Sequence, residues 1–226
     1  TPADTQRDDL AAILFTSGST GPPKGVEYTH GIFDGQVKAI GAMYGIEPGE
    51  IEVPAFPLFS LFSIALGMTC VIPDVNPTKL AQVDPRHMVE AIVDHGATTA
   101  FASPIVWDRV GRYCAKHHVK LPTLRRVLTA GAPVNPVIMR LFDGVLSPGV
   151  SLHTPYGATE CLPVATISSA EVLGETDALT RVGAGLCVGR ALASMQVAII
   201  AIDDEPIADW SSVRHLATGQ IGESCV

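Results

Sequence analysis

With 226 residues, 47% of them apolar, the chain is long enough to bury a sizeable core. Its formal charge of −8 excludes a nucleic-acid-binding surface, and no apolar run approaches the roughly 18 residues needed to span a bilayer. The five cysteines are odd in number and widely spaced, which argues against a zinc cluster or a disulfide framework and makes a reducing, cytoplasmic setting the default.

In chain order, a polar approach leads to residues 11–15 (AAILF), an apolar run of the length of a buried strand. Thr16, Ser17, Gly18, Ser19, Thr20 and Gly21 follow, each a hydroxyl residue or a glycine, and then two prolines and Lys24. Glycines accept positive φ and let a ligand approach the backbone, exposed N–H groups in such a loop make an anion-binding concavity, and Lys24 adds an ammonium. A flexible surface turn has the same composition. The strand-like run before the loop and the lysine after it favour a polyphosphate cradle. It is not a Walker A loop, because Lys24 lies between Pro23 and Gly25.

Residues 26–28 read as a short strand, and Thr29 as the N-cap of a helix over 30–44. A strand over 51–56 ends at Pro57, and residues 58–68 suit a helix packed on a sheet or lining an apolar tunnel. Residues 69–72 form another short strand. Asp84-Pro85, Ser103-Pro104 and Asn135-Pro136 each pair a capping residue with a proline suited to the first helical position. They open helices over 85–95, 104–118 and 136–143, alternating with strands over 98–102, 126–130 and 151–154. Such a succession predicts an α/β fold with a mostly parallel sheet flanked by helices, and ligands bind beyond the carboxyl ends of its strands. Those ends are the segments 130–134 and 154–160. After Cys161 the helical pattern fades. Strands over 163–167, 195–202 and 221–226, with turns over 183–189, predict a β-rich tail. The division expected is therefore a nucleotide-binding core over 1–160 and the start of a β-rich subdomain over 161–226.

Tyr156, Gly157, Ala158, Thr159 and Glu160 place an aromatic ring, a glycine, a hydroxyl and a carboxylate at one strand end. Alone they read as an ordinary turn. Together with the loop at 16–25 they resemble two signature motifs of the adenylate-forming superfamily, which includes acyl-CoA synthetases and peptide-synthetase adenylation domains. The resemblance implies that the loop holds the β- and γ-phosphates of ATP while a carboxylate attacks the α-phosphate. It implies that Tyr156 stacks on adenine beside Gly157, that Thr159 donates to the α-phosphate, and that Glu160 ligates Mg²⁺. Lys24 serves the departing pyrophosphate, and Gly131, Ala132 and Pro133 form part of the adenine pocket. Residues 183–190 resemble the family's later glycine turn. The ribose-gripping aspartate and the lysine-bearing C-terminal domain are expected beyond Val226, so the chain is read as a central part of the large domain that lacks activity in isolation.

Three departures narrow the resemblance. Ser60 stands where many acyl-CoA ligases carry histidine. The segment 55–63 holds no acidic residue, which disfavours an amino-acid substrate. Thr154 stands where many members carry Asn. Several longer segments, TPYGATECLPV among them, resemble the adenylate-forming enzymes of bacterial long-chain olefin biosynthesis. That resemblance implies a long-chain acyl or 3-hydroxyacyl substrate, a 2-alkyl-3-hydroxy acid that goes on to a β-lactone, and other enzymes of that pathway as partners. A long-chain fatty-acid–CoA ligase and a non-catalytic nucleotide-binding fragment are the alternatives.

Overall fold

The computed structural model describes residues 3–15, 23–203 and 205–226. Its centre is a seven-stranded sheet. In chain order the strands and helices are β1 Leu10–Phe15, β2 Gly25–Thr29, α1 His30–Tyr44, β3 Ile51–Pro54, α2 Ser60–Ala65, β4 Thr69–Cys70, α3 Pro85–Asp94, β5 Thr99–Ala102, α4 Pro104–His117, β6 Arg126–Thr129, α5 Pro136–Asp143, β7 Leu152–Ala158, β8 Cys161–Ser168, β9 Arg190–Ala191, β10 Ala198–Ile200 and β11 Glu223–Cys225. The sheet order is β4-β3-β5-β6-β7-β8-β9, parallel from β4 to β7 and antiparallel from β7 to β9. The chain is thus α/β with a mostly parallel sheet, as the alternating helices and strands predict.

Side chains alternate across each strand. Val53, Ala100, Val127 and Leu152 turn to one face, where α3, α4 and α5 bury Met88, Ile92, Trp107 and Phe142 against them. Asp84 and Asn135 cap their helices through the N–H groups of Arg86 and Val137. Ser103 does not, and its hydroxyl is buried without a hydrogen-bond partner. On the other face lie α1 and α2. Thr29 caps α1 by accepting from the Ile32 N–H, and Gly45 ends it in the left-handed conformation.

Three expectations change. β1 is paired only with β2 among the described residues, and Leu10, Ile13 and Phe15 are exposed, so it is not a buried strand. An apolar run matches a buried strand in pattern, but here no described element covers it. The segment 154–160, expected as a loop, is the second half of β7 and its turn into β8. Residues 169–184 are helical rather than a continuation of the β pattern. This run opens at Ser169–Glu171 under a capping box from Ser168 and Glu171, and widens to π-helical pitch over Val172–Thr176. The seven-stranded sheet continues through the β7–β8 turn to β9. The β10–β11 pair forms a separate two-stranded sheet.

Candidate active site

A cleft of about 830 Å³ opens at the carboxyl ends of the parallel strands. Lys24, Gly131, Ala132, Pro133, Tyr156, Gly157, Thr159 and Glu160 all line it, although they come from three separate parts of the chain. Thr16, Ser17, Gly18, Ser19, Thr20 and Gly21 lie outside the described residues. The cleft then runs along the sheet face beneath α1 and α2, where its walls are Ile40, Met43, Phe59, Phe62, Leu66, Met68, Phe101 and Leu128.

The polar mouth has a physical basis in each segment. β6 ends at Thr129, and Gly131 turns the chain at φ 90°, a conformation that side-chain-bearing residues rarely adopt. A Cβ there would meet nothing within 4 Å, so the site beside it is open to a flat ring. Gly157 is small for another reason. A Cβ would fall 2.8 Å from both the Cys161 carbonyl oxygen and the Leu162 Cβ, so glycine is what lets β8 fold back tightly. The Tyr156 ring is 43% exposed at the mouth, which suits a stacking surface. Glu160 is exposed in the turn beside Thr159. A single hard carboxylate suits Mg²⁺ only where waters and phosphate oxygens complete the shell, because that ion usually takes one or two carboxylates. Among the described residues no group of three or more His, Cys, Asp or Glu gathers to hold a metal on protein ligands alone.

Sequence reasoning missed the residues that hold this turn. Tyr28, from β2, is buried and donates its hydroxyl proton to the Thr159 carbonyl. Gln36, from α1, donates to the Tyr28 oxygen at 3.3 Å. The pair ties the first hairpin and first helix to the Thr159–Glu160 turn. Leu186, Cys187 and Val188 of the glycine turn also line the cleft. Gly189 makes their approach possible, since a Cβ there would overlap the Thr166 carbonyl.

The cleft floor was equally hidden. Glu52 on β3 is only 4% exposed, and it accepts a hydrogen bond from the Ser63 hydroxyl of α2. Burial pushes its carboxyl up to about 7, against the pull of Ser63 and Arg126. Two residues earlier, Glu50 is also buried, yet it sits below its ordinary value. Burial opposes its charge, but Arg126, Thr98 and the Glu47 backbone hydrogen-bond it. Arg126 Nη1 donates to Glu50 at 2.7 Å and to Thr99 at 2.8 Å. Beside them the Tyr44 hydroxyl pairs with Thr166 at 3.0 Å, and burial pushes it up to about 12.

A family model described as AMP-binding enzyme matches residues 1–226. The chain belongs to the AMP-binding enzyme family. Over 99% of its length it is 50% identical to an olefin beta-lactone synthetase of Stenotrophomonas maltophilia and 47% identical to one of Xanthomonas campestris pv. campestris. It spans 40% and 39% of the lengths of those two relatives. A solved structure of o-succinylbenzoate coenzyme A synthetase from Bacillus subtilis, in complex with ATP and magnesium ion, superposes with a TM-score of 0.68 at 22% identity, covering 91% of this chain and 40% of that one. That likeness shows the shared fold. In this AMP-binding chain the cleft lies where open parallel sheets hold ligands, outside the carboxyl ends of the strands. No helix among the described residues is long and apolar enough to cross a membrane.

Proposed function

We propose that the protein containing this chain adenylates a long-chain carboxylic acid with ATP, and that the acid is a 2-alkyl-3-hydroxy acid closed afterwards to a β-lactone. The observation that carries the reading is the single cleft itself. Its mouth collects the ammonium, glycine turn, aromatic ring, hydroxyl and carboxylate of Lys24, Gly131, Tyr156, Thr159 and Glu160, and its body is apolar. The identities of 50% and 47% to olefin beta-lactone synthetases support the choice of acid.

In the first step a substrate carboxylate oxygen attacks the α-phosphorus, the bond to the bridging oxygen breaks, and pyrophosphate leaves. Lys24 and the Thr159 hydroxyl are donors for the charge that develops on the phosphates, and fixed donors of this kind are the largest single source of rate in such transfers. Tyr156, with Gly131, Ala132 and Pro133, holds the base. Glu160 would hold Mg²⁺, which when bound neutralises phosphate charge. In the second step the substrate's own 3-hydroxyl oxygen bonds to the acyl carbon, the acyl–phosphate bond breaks, AMP leaves and the hydroxyl proton is released. Intramolecular attack has a high effective molarity and needs no second substrate.

The test uses the full-length protein with ATP, Mg²⁺ and a 2-alkyl-3-hydroxy acid, without coenzyme A. Pyrophosphate release and a β-lactone product are expected. Acyl-adenylate that accumulates until coenzyme A is added selects a long-chain fatty-acid–CoA ligase instead. No pyrophosphate release with any acid refutes adenylation.

A further inference from the structure

Along the cleft wall formed by Phe59, Phe62, Leu66, Met68, Phe101 and Leu128, the polar side chains are those of Glu52 and Ser63. On the sheet face beneath α1 and α2, Glu52 aligns with Thr99, and Pro54 with Phe101; Phe101 in turn aligns with Leu128. Glu52 therefore points to the same face as Phe101 and Leu128, which form the cleft wall. Its level is that of Arg126, four residues before Ala130 at the mouth. At about 3.3 Å per residue, the carboxyl-bearing position lies roughly 13 Å down the sheet from the mouth. Cys70 flanks it on β4.

Glu52 is not there to form an ion pair. The guanidinium of Arg126 is engaged by Glu50, Thr99 and the Gly45 carbonyl. The one hydrogen bond Glu52 accepts among the described residues comes from Ser63, through Oε2. Its Oε1 receives none among the described residues and is not one of the sealed unpaired atoms, so it is reachable from the cleft that both Glu52 and Ser63 line. Sites that bind apolar ligands use a few placed polar groups to fix orientation and specificity.

We propose that Glu52 and Ser63 form a polar subsite in the acyl arm of the cleft, where Glu52 accepts a hydrogen bond from a hydroxyl carried on the substrate's acyl group, so that hydroxylated acids are preferred over plain acids of equal length. The subsite rests on reading the apolar body as the acyl arm. A site that hydrogen-bonds a substrate hydroxyl rejects the analogue lacking it, because its own buried group is then left unpaired. The existing bond from Ser63 occupies Oε2 and leaves Oε1 as the acceptor for a ligand in the arm.

The experiment measures binding by calorimetry and pyrophosphate release in parallel on the full-length protein. The acids share one chain length and are either plain or hydroxylated at the 3-position, mid-chain or chain end. At least one hydroxylated acid is expected to bind about tenfold to a hundredfold tighter than the plain acid. Glu52→Leu is expected to abolish that ratio while plain-acid binding stays equal or improves, and Glu52→Gln, which keeps an acceptor, to retain part of it. Equal binding of all acids to the unaltered protein overturns the subsite, as does an equal loss for every acid in Glu52→Leu. A longer plain acid, added to the set, that binds only to Glu52→Leu while the unaltered protein shows no hydroxyl preference overturns it in favour of a chain-length stop. Binding preference without pyrophosphate release upholds the subsite and refutes adenylation. Pyrophosphate release without the preference does the reverse.

Discussion

The two ends of the cleft are built by opposite means. The mouth consists of short exposed turns, 131–133 and 156–160, whose side chains are free to meet a ligand. Its geometry is held from outside, by the buried Tyr28 and Gln36. The floor lies at the amino-terminal ends of β3, β5 and β6, where Glu50, Glu52, Thr99 and Arg126 are all buried; Arg126 holds Glu50 and Thr99, and Ser63 holds Glu52. Substitutions at the mouth therefore act mainly on ligand affinity and rate, and substitutions at the floor mainly on folding. The two glutamates of the floor divide further. Glu50, held charged, adds stability that is present above its ordinary range and lost as pH falls through it. Glu52, pushed up to about 7, binds its proton more tightly when folded, so its contribution is present at low pH and lost as pH rises through about 7.

The largest effect expected is at the floor. Arg126→Leu leaves the buried Glu50 with only the exposed Arg125, 3.9 Å away, and breaking a buried pair by removing one partner costs about 3–5 kcal/mol. Denaturant unfolding should show that loss at neutral pH and a smaller one at acid pH, where Glu50 is protonated. A loss below about 1 kcal/mol would mean that water reaches the floor, and the contrast with the mouth would fail.

Next comes the pH signature of Glu52. A rise from 4.5 to about 7 corresponds, at about 1.4 kcal/mol per pH unit, to about 3 kcal/mol. Glutamine does not titrate. Glu52→Gln should match the parent protein near pH 4, gain on it between pH 4.5 and 7, and lead by about 3 kcal/mol at pH 8. Melting curves across that range decide it. A constant offset would show that the Glu52 carboxyl titrates at its ordinary value in the folded protein.

At the mouth the effect moves to rate. Lys24→Ala and Glu160→Ala each remove a charged group from the phosphate end. A charge-assisted hydrogen bond is worth about 1.5–3 kcal/mol, so losses from tenfold to over a hundredfold in pyrophosphate release are expected, with melting temperature nearly unchanged. A fall in melting temperature that accounts for the lost activity would erase the distinction between the two ends.

This difference also explains what could be read from the residues alone. The mouth was legible because phosphate and base recognition need particular residue types at short spacing, and 156–160 is such a cluster. The helices α3 and α5 were legible through Asp84-Pro85 and Asn135-Pro136, where the caps are local. The floor was not, because Glu52 and Ser63 are eleven residues apart and meet only after β3 and α2 have packed. The absence of acid from 55–63 bears only on an amino-acid substrate, and Glu52 stands just before that segment. The extent of β7 was obscured by Pro155 and Gly157, which interrupt a strand pattern but are tolerated beside the β8 hairpin. The helical run at 169–184 carried a signal, the Ser168–Glu171 capping box, but its π pitch blurs the 3.6-residue period that would have confirmed it.

The smallest effect expected tests whether the mouth depends on its outside support. Tyr28→Phe keeps the ring, which packs on Phe33 with centroids 5.1 Å apart, and removes only the hydroxyl. The Thr159 carbonyl then loses its donor, and Gln36, whose Oε1 is already unpaired, loses its acceptor for Nε2. One ordinary hydrogen bond is worth about 0.5–1.5 kcal/mol, so stability should fall by about 1 kcal/mol. The rate should fall by more than that loss implies, because the Thr159–Glu160 turn is no longer held at the distance its two side chains require. A small misplacement of groups that act only in the transition state lowers kcat while leaving KM for the acid nearly unchanged. Equal changes in both, or none, would show that the β7–β8 hairpin holds the turn by itself and that Tyr28 serves only the packing of β2 on α1.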